Sequence, residues 1–161
     1  MPLEIVARPY SDPDVTRLVA EVQAEYVTMY GGPDAAAVDP DEFVPPSGLL
    51  LVGLLDGEPV VTGGWRRLDG PTGRRAEIKR MYVRASARRR GLARTMLTEL
   101  ERTAADAGID RLVLNTGSVQ VAAVALYRQF GYTAEPGFGH YADQPGALFF
   151  GKDIRDEPAG S

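Results

Sequence analysis

Residues Leu3 to Arg8 alternate apolar and polar side chains, the period of a strand with one covered face. Asp12-Pro13 then offers an N-cap followed by proline at the first helical position. Val15, Leu18, Val19, Val22 and Tyr26 recur at helical spacing until Gly31-Gly32-Pro33 stops the run. From 31 to 47 no period holds, and Pro33, Pro40, Pro45 and Pro46 predict a long loop with room for one helical turn at Asp39-Pro40. Gly48 to Leu55 and Val60 to Leu68 are apolar runs around Asp56-Gly57, a hairpin signal whose loop Pro59 should lengthen. A turn-rich stretch from Asp69 to Gly73 leads into a strand from Arg75 to Val83.

The second half changes period. Leu92, Met96, Leu97, Leu100 and Ala104 share one face of a helix that Gly108 should end. Ile109 and Leu112-Val113-Leu114 read as a short strand covered on both faces, and strand, helix, strand in succession implies a parallel pair. Ala123, Leu126, Tyr127 and Phe130 mark another helix ending at Gly131. Tyr132 to Glu135 and Ala147 to Ile154 look like a closing strand pair. The order β, α, β, β, β, α, β, α, β, β predicts an α/β fold, a mixed sheet with helices on both faces.

Length adds that 161 residues suit one domain, expected over 1–155 with a frayed polar tail over 156–161. Apolar residues at 44% and charged ones at 25% are ordinary for a soluble globular chain. No apolar run reaches the roughly 20 residues that span a bilayer, and the first residues lack a signal-peptide layout. No membrane partner is therefore expected. The absence of cysteine excludes disulfides and thiolate metal sites and suits the cytoplasm. His140 is the single histidine, so a multi-histidine zinc centre is excluded and no metal site is expected. His140 itself reads as a loop residue.

Charge changes the picture locally. The net charge of −4 argues against nucleic acid, yet Arg74, Arg75, Lys79, Arg80, Arg84, Arg88, Arg89, Arg90 and Arg94 crowd the centre. Asp34, Asp39, Asp41 and Glu42 lie upstream. A basic patch in an acidic protein suits a compact polyanion. Arg88-Arg89-Arg90-Gly91-Leu92-Ala93 links the strand ending at Val83 to a helix, so its backbone N–H groups and the helix dipole would face such a ligand. Without the Lys-Ser/Thr pair of a Walker loop, the phosphates would be carried rather than transferred.

The hexapeptide 88–93 fits the [QR]xxGx[GA] pattern of the GNAT superfamily of acetyl-CoA-dependent N-acyltransferases. A second stretch, Ala123-Val124-Ala125-Leu126-Tyr127-Arg128-Gln129-Phe130-Gly131-Tyr132, resembles that family's AxxLYxxxGF element. Two motifs in order, with a helix and strand between them, are far more specific than either alone. The resemblance implies a mostly antiparallel sheet with a splayed parallel strand pair in its middle. It implies acetyl-CoA as cofactor, its pantetheine arm entering between Met81-Tyr82-Val83 and a lip around Asn115. The Met81 amide would bond the thioester oxygen, the amides of Arg88, Arg89, Arg90, Gly91, Leu92 and Ala93 the pyrophosphate, with Arg94 adjoining. Gln120 stands where many members have asparagine. Glu77 matches the general base of the histone-acetyltransferase branch, and Tyr127 the family's general acid.

These residues also carry structural readings. Glu77 could pair with Arg75 or Lys79 on its strand, and Tyr127 could be a packed helix aromatic. The implied activity is acetylation of a primary amine, a small molecule rather than a protein, by direct attack in a ternary complex, because no side chain suits a covalent relay. A silent CoA-binding sensor and a longer acyl donor remain alternatives, and a homodimer is a possible assembly. The acceptor would be lined by Tyr26, Tyr30, the 31–47 loop and the loop around His140 and Tyr141. Acidic Asp39, Asp41 and Glu42 would suit a cationic amine or polyamine.

Overall fold

A computed structural model describes residues 3–32, 39–70, 72–139 and 141–155. The expectations for Pro33, Asp34, His140 and the 156–161 tail fall outside the described residues. In chain order the elements are β1 (Glu4–Ala7), α1 (Pro13–Tyr30), β2 (Gly48–Leu55), β3 (Glu58–Arg67), β4 (Arg75–Val83), α2 (Leu92–Asp106), β5 (Arg111–Gly117), α3 (Val121–Gln129), β6 (Thr133–Ala134) and β7 (Ala147–Asp153). One tight helical turn, Pro40–Phe43, interrupts the long loop where Asp39-Pro40 predicts it.

The strands form one sheet in the order β1-β2-β3-β4-β5-β7-β6. Only β4 and β5 pair in parallel; the other neighbours are antiparallel. The β2–β3 turn is tighter than Pro59 suggests. Asp56 and Gly57 both take positive φ, 51° and 80°, the geometry that matches strand twist in a two-residue loop. Pro59 therefore lies inside β3, opposite Leu54 at a register shift, where a missing N–H is tolerated.

Each sheet face has its own core. α1 is capped by the Asp12 carboxylate, which accepts from Asp14 N–H at 2.9 Å, and ends at left-handed Gly31. It lays Val15, Leu18 and Val22 on Phe43, Leu50, Val52, Leu54 and Tyr82. On the opposite face α2 buries Met96, Leu97, Leu100 and Ala104 completely against β3, β4 and β5, and Tyr127 of α3 joins that cluster. Leu112, Val113 and Leu114 are covered on both sides, as an almost wholly apolar strand between two helical layers must be. Trp65 is core, its indole N–H donating to Thr103 Oγ1 at 3.1 Å.

The sheet opens in its middle. β4 and β5 are in register only at Arg75↔Arg111, Ala76↔Leu112 and Glu77↔Val113. Beyond that β5 stays paired with β7 to Gly117, whereas β4 stays paired with β3 to Val83. A bulge explains the divergence. Thr62 faces Tyr82 and Gly64 faces Lys79, so Arg80 and Met81 together oppose Gly63. Arg80 adopts φ 58°, and the extra residue bends and twists β4 away from β5. Gly63 makes room here: a side chain on it would meet Leu100, Met81 and Met96 at 2.9 to 3.2 Å.

Candidate active site

The open edges of this fork are rows of backbone groups. Arg84 N–H bonds Val60 O at 2.8 Å, which fixes the alternation past the bulge. Tyr82 turns its backbone to β3, and Met81 and Val83 turn theirs toward β5. On the other prong Ile154 N–H bonds Asp110 O and Ser118 N–H bonds Gly146 O, so even-numbered residues face β7. Asn115 and Gly117 therefore present backbone groups to β4. Two unpaired edges facing each other fit an extended arm that carries amides. The Asn115 side chain is turned aside, its Nδ2 donating to Leu148 O at 3.2 Å.

At the mouth of the fork the chain turns into α2. Arg89 and the N-cap Gly91 both have positive φ, 68° and 76°, and no side chain caps the helix. The first-turn amides around Leu92, Ala93 and Arg94 thus have no intrahelical acceptor, in contrast to the capped start of α1. Arg89 and Arg90 are exposed and without ion pairs among the described residues. Arg88 is engaged: its Nη2 donates to both Glu25 oxygens at 2.7 and 2.6 Å and its Nε to Val83 O at 3.0 Å. Glu25 also accepts from the Tyr82 hydroxyl at 2.9 Å, and Arg84 holds Glu21 at 2.7 Å. Burial, with Glu25 second, raises the Tyr82 phenol well above its usual pKa. The Tyr82 side chain belongs to the α1 face. Arg94 donates to Gln129 Oε1 at 2.7 Å and lies over Phe130.

Glu77 stands where the prongs part, 6% exposed. Its partner is Arg66, directly across on β3, rather than Arg75 or Lys79: Nε and Nη2 of Arg66 donate to Oε1 at 3.1 and 2.8 Å. Arg66 also donates to Glu42 of the Pro40–Phe43 turn. Burial pulls the Arg66 pKa down, but the two carboxylates outweigh it and the net shift is upward. Of the acidic side chains singled out in this loop, Glu42 is thereby paired with Arg66 and Asp39 accepts from Asp41 N–H at 3.0 Å, while the Asp41 carboxylate has no ion pair among the described residues.

Tyr127 is 5% exposed, its ring edge-on to Tyr132 at 5.5 Å. Burial, and then neighbouring Tyr26, raises its pKa, so the phenol keeps its proton. Among the described residues no buried side-chain oxygen lacks a hydrogen-bond partner. Neither Glu77 Oε2 nor the Tyr127 hydroxyl has one, so both atoms meet solvent while the rest of each residue is covered.

Across the mouth, Tyr26 and Tyr30 of α1 lie with ring centroids 5.9 Å apart. The Tyr30 hydroxyl accepts from Gln120 Nε2 at 3.0 Å, and its ring tip rests on Gly117, where a Cβ would overlap it. Tyr141 lies farther along the chain, in a turn closed by Gln144 N–H to Tyr141 O at 3.0 Å.

A sequence model of the acetyltransferase (GNAT) family matches residues 15–132. The chain belongs to the GNAT acetyltransferase family. An IAA acetyltransferase of Azospirillum brasilense is 32% identical over 156 residues, 96% of this chain and all of that relative. The uncharacterized N-acetyltransferase YjgM of Escherichia coli is 29% identical over 75% of each chain. Among solved structures, a Klebsiella pneumoniae protein provisionally classed as an acyl-CoA N-acyltransferase superposes with TM-score 0.79 at 26% identity, over 94% of this chain and 97% of that one. A GNAT acetyltransferase of Elizabethkingia anophelis, solved with acetyl-CoA bound, shares the fold with TM-score 0.66 at 15% identity over 94% and 97%.

GNAT enzymes take acetyl-CoA as acyl donor, and this N-acetyltransferase fits it. The fork has unpaired backbone edges for an amide-bearing arm, and the uncapped α2 start with Arg89 and Arg90 suits a pyrophosphate. Among the described residues no helix is long and apolar enough to cross a membrane, and no cluster of three metal-ligating side chains occurs. Three contacts of the candidate site escape sequence reasoning: Arg66 behind Glu77, Glu25 on Arg88, and Gly117 under Tyr30. The first two need the strand register and helix docking to be known. Gly117 has a faint signal, a glycine ending an otherwise bulky strand.

Proposed function

We propose that residues 1–155 act as one domain that transfers the acetyl group of acetyl-CoA to a primary amine of a small molecule, by direct attack with both substrates bound. The observation that carries this reading is the fork itself, with the buried carboxylate of Glu77 at its base. Bound acetyl-CoA supplies the activated acyl group. Met81 N–H donates to the thioester oxygen, where negative charge grows as the amine nitrogen bonds the carbonyl carbon. Glu77 Oε2 takes the proton of the attacking ammonium through solvent, and Arg66 holds the carboxylate in place by its other oxygen. Tyr127 gives its proton to the sulfur as the C–S bond breaks and is reprotonated, through solvent, by the second proton that the nitrogen loses on becoming an amide; its raised pKa keeps the phenol protonated at neutral pH. The amides of Leu92 to Arg94, with Arg89 and Arg90, hold the pyrophosphate. Tyr26 and Tyr30 wall the acceptor side.

The test is thiol release from acetyl-CoA over an amine panel, with IAA alongside, coupled to calorimetry. Tyr127→Phe is expected to lower kcat by about 100-fold, and Glu77→Gln by a similar factor, with acetyl-CoA Kd within about twofold of wild type. Unchanged turnover in Tyr127→Phe removes the acid assignment. Tight binding without thiol release on any acceptor supports a sensor instead.

A further inference from the structure

Six large hydrophobic side chains are exposed among the described residues: Val27, Met29, Tyr30, Val44, Val119 and Val121. Five of them belong to two short segments, the last turn of α1 and the turn from β5 into α3. The two segments meet at the mouth of the fork through Gln120 Nε2 and the Tyr30 hydroxyl, 3.0 Å apart. Val27 and Tyr30 are one helical turn apart, and Val119 and Val121 flank Gln120, so the Gln120–Tyr30 bond brings the two exposed apolar segments to the same end of the fork. Exposed apolar residues gathered in one place mark a binding surface, whereas scattered ones do not.

The glutamates nearby are already ion-paired, whereas Asp39 and Asp41 of the short turn hold no cation among the described residues. Glu21 holds Arg84, Glu25 holds Arg88 and Tyr82, Glu42 holds Arg66, and Asp39 caps the turn that follows it. A polycationic acceptor seated on the glutamates would have to break these pairs, while a flat apolar body would cover surface that has no partner among the described residues. Position 117 points the same way. Glycine there lets the Tyr30 ring tip lie directly on the end of β5, and any side chain would lift it.

We propose that the acceptor is an amine carried on a flat apolar body, and that Tyr30, seated on Gly117, is the residue that selects it. This rests on the N-acetyltransferase reading above and names its substrate class. The amine end reaches between the prongs toward Glu77, and the apolar body lies against Tyr30, Val119 and Val121. Tyr30 acts by surface contact, and its hydroxyl only anchors the ring to Gln120.

The experiment measures thiol release from saturating acetyl-CoA with phenethylamine, tryptamine, lysine and spermidine. The aryl amines are expected to show kcat/KM about tenfold or more above lysine and spermidine. Tyr30→Ala is expected to raise the phenethylamine KM about tenfold, with the acetyl-CoA KM within about twofold, while Tyr30→Phe, which keeps the ring and loses its anchor to Gln120, is expected to raise it by about threefold or less. Gly117→Ala displaces the ring at its flexible tip and is expected to raise the same KM. Preference for spermidine or lysine, or an unchanged KM in Tyr30→Ala, overturns the inference while leaving the acetyltransferase reading standing. If Tyr30→Ala alters only the sedimenting mass, the patch is a contact between two copies of the chain and the inference is overturned. No release with any amine overturns the acetyltransferase reading, and the inference falls with it.

Discussion

Arg66 and Glu77 show how a single residue pair serves both stability and the proposed chemistry. Glu77 is a buried carboxylate whose charge is balanced from one side by a guanidinium that also meets Glu42. Removing Arg66 strands the charge, so Arg66→Ala should lose about 3 kcal/mol in urea denaturation, more than Glu77→Gln. Arg66→Met with Glu77→Leu should recover most of that loss, because two apolar side chains replace a desolvated pair. A small loss in Arg66→Ala would mean that Glu77 is better solvated than its burial indicates. At this scale the sequence was half legible. Tyr127 stands out inside its motif and Glu77 by its match to one branch of the family, but Arg66 reads as one more arginine, since its contact with Glu77 depends on the β3–β4 register, which local pattern does not encode.

β4 carries the deformation that makes the site. Arg80 in the left-handed region costs about 1 kcal/mol relative to a plain strand residue, and the bend it produces keeps β5 from pairing past Glu77. Deleting Arg80 restores an uninterrupted ladder with β3. The prongs should then close, with acetyl-CoA affinity falling about tenfold or more in calorimetry while the melting temperature holds or rises. Affinity at the wild-type level would show that the splay does not depend on the bulge. Docking of α1 is a second matter of elements. The Arg84 bond holds the Glu21 carboxyl below its ordinary pKa of 4.5. A depressed carboxyl stabilises the fold above its unfolded pKa and loses that contribution as pH falls through the folded value. The difference in melting temperature between wild type and Glu21→Gln, present at neutral pH, should therefore shrink below about pH 4. Elements were the most legible level. The cap at Asp12, the Asp56-Gly57 turn and the apolar stripe of α2 are local signals, whereas the bulge at Arg80 leaves no mark a sequence could show, because arginine is not a residue that bulges select.

For the whole molecule, the sheet is continuous from β1 to β6 except at the fork, so a ligand seated there bridges two halves whose strand ladder holds only three register pairs and which are otherwise joined by the α2-side core. Acetyl-CoA at about 100 times its Kd should add about 2.7 kcal/mol and raise the melting temperature by about 5–10 °C in a thermal scan. No rise would mean that the donor does not bind the folded form. The parallel pair and the layer order were legible because strand, helix, strand admits few arrangements. Which face takes which substrate is implied by the family resemblance alone, since it depends on where α1 comes to rest. There Arg88 joins two elements of the proposed site: it anchors Glu25 of α1, the helix proposed to wall the acceptor, while belonging to the loop proposed to hold the donor's phosphates. On that proposal, a guanidinium shared in this way would couple the two binding events thermodynamically. Whatever factor the donor imposes on affinity for the acceptor, the acceptor must impose on the donor in return.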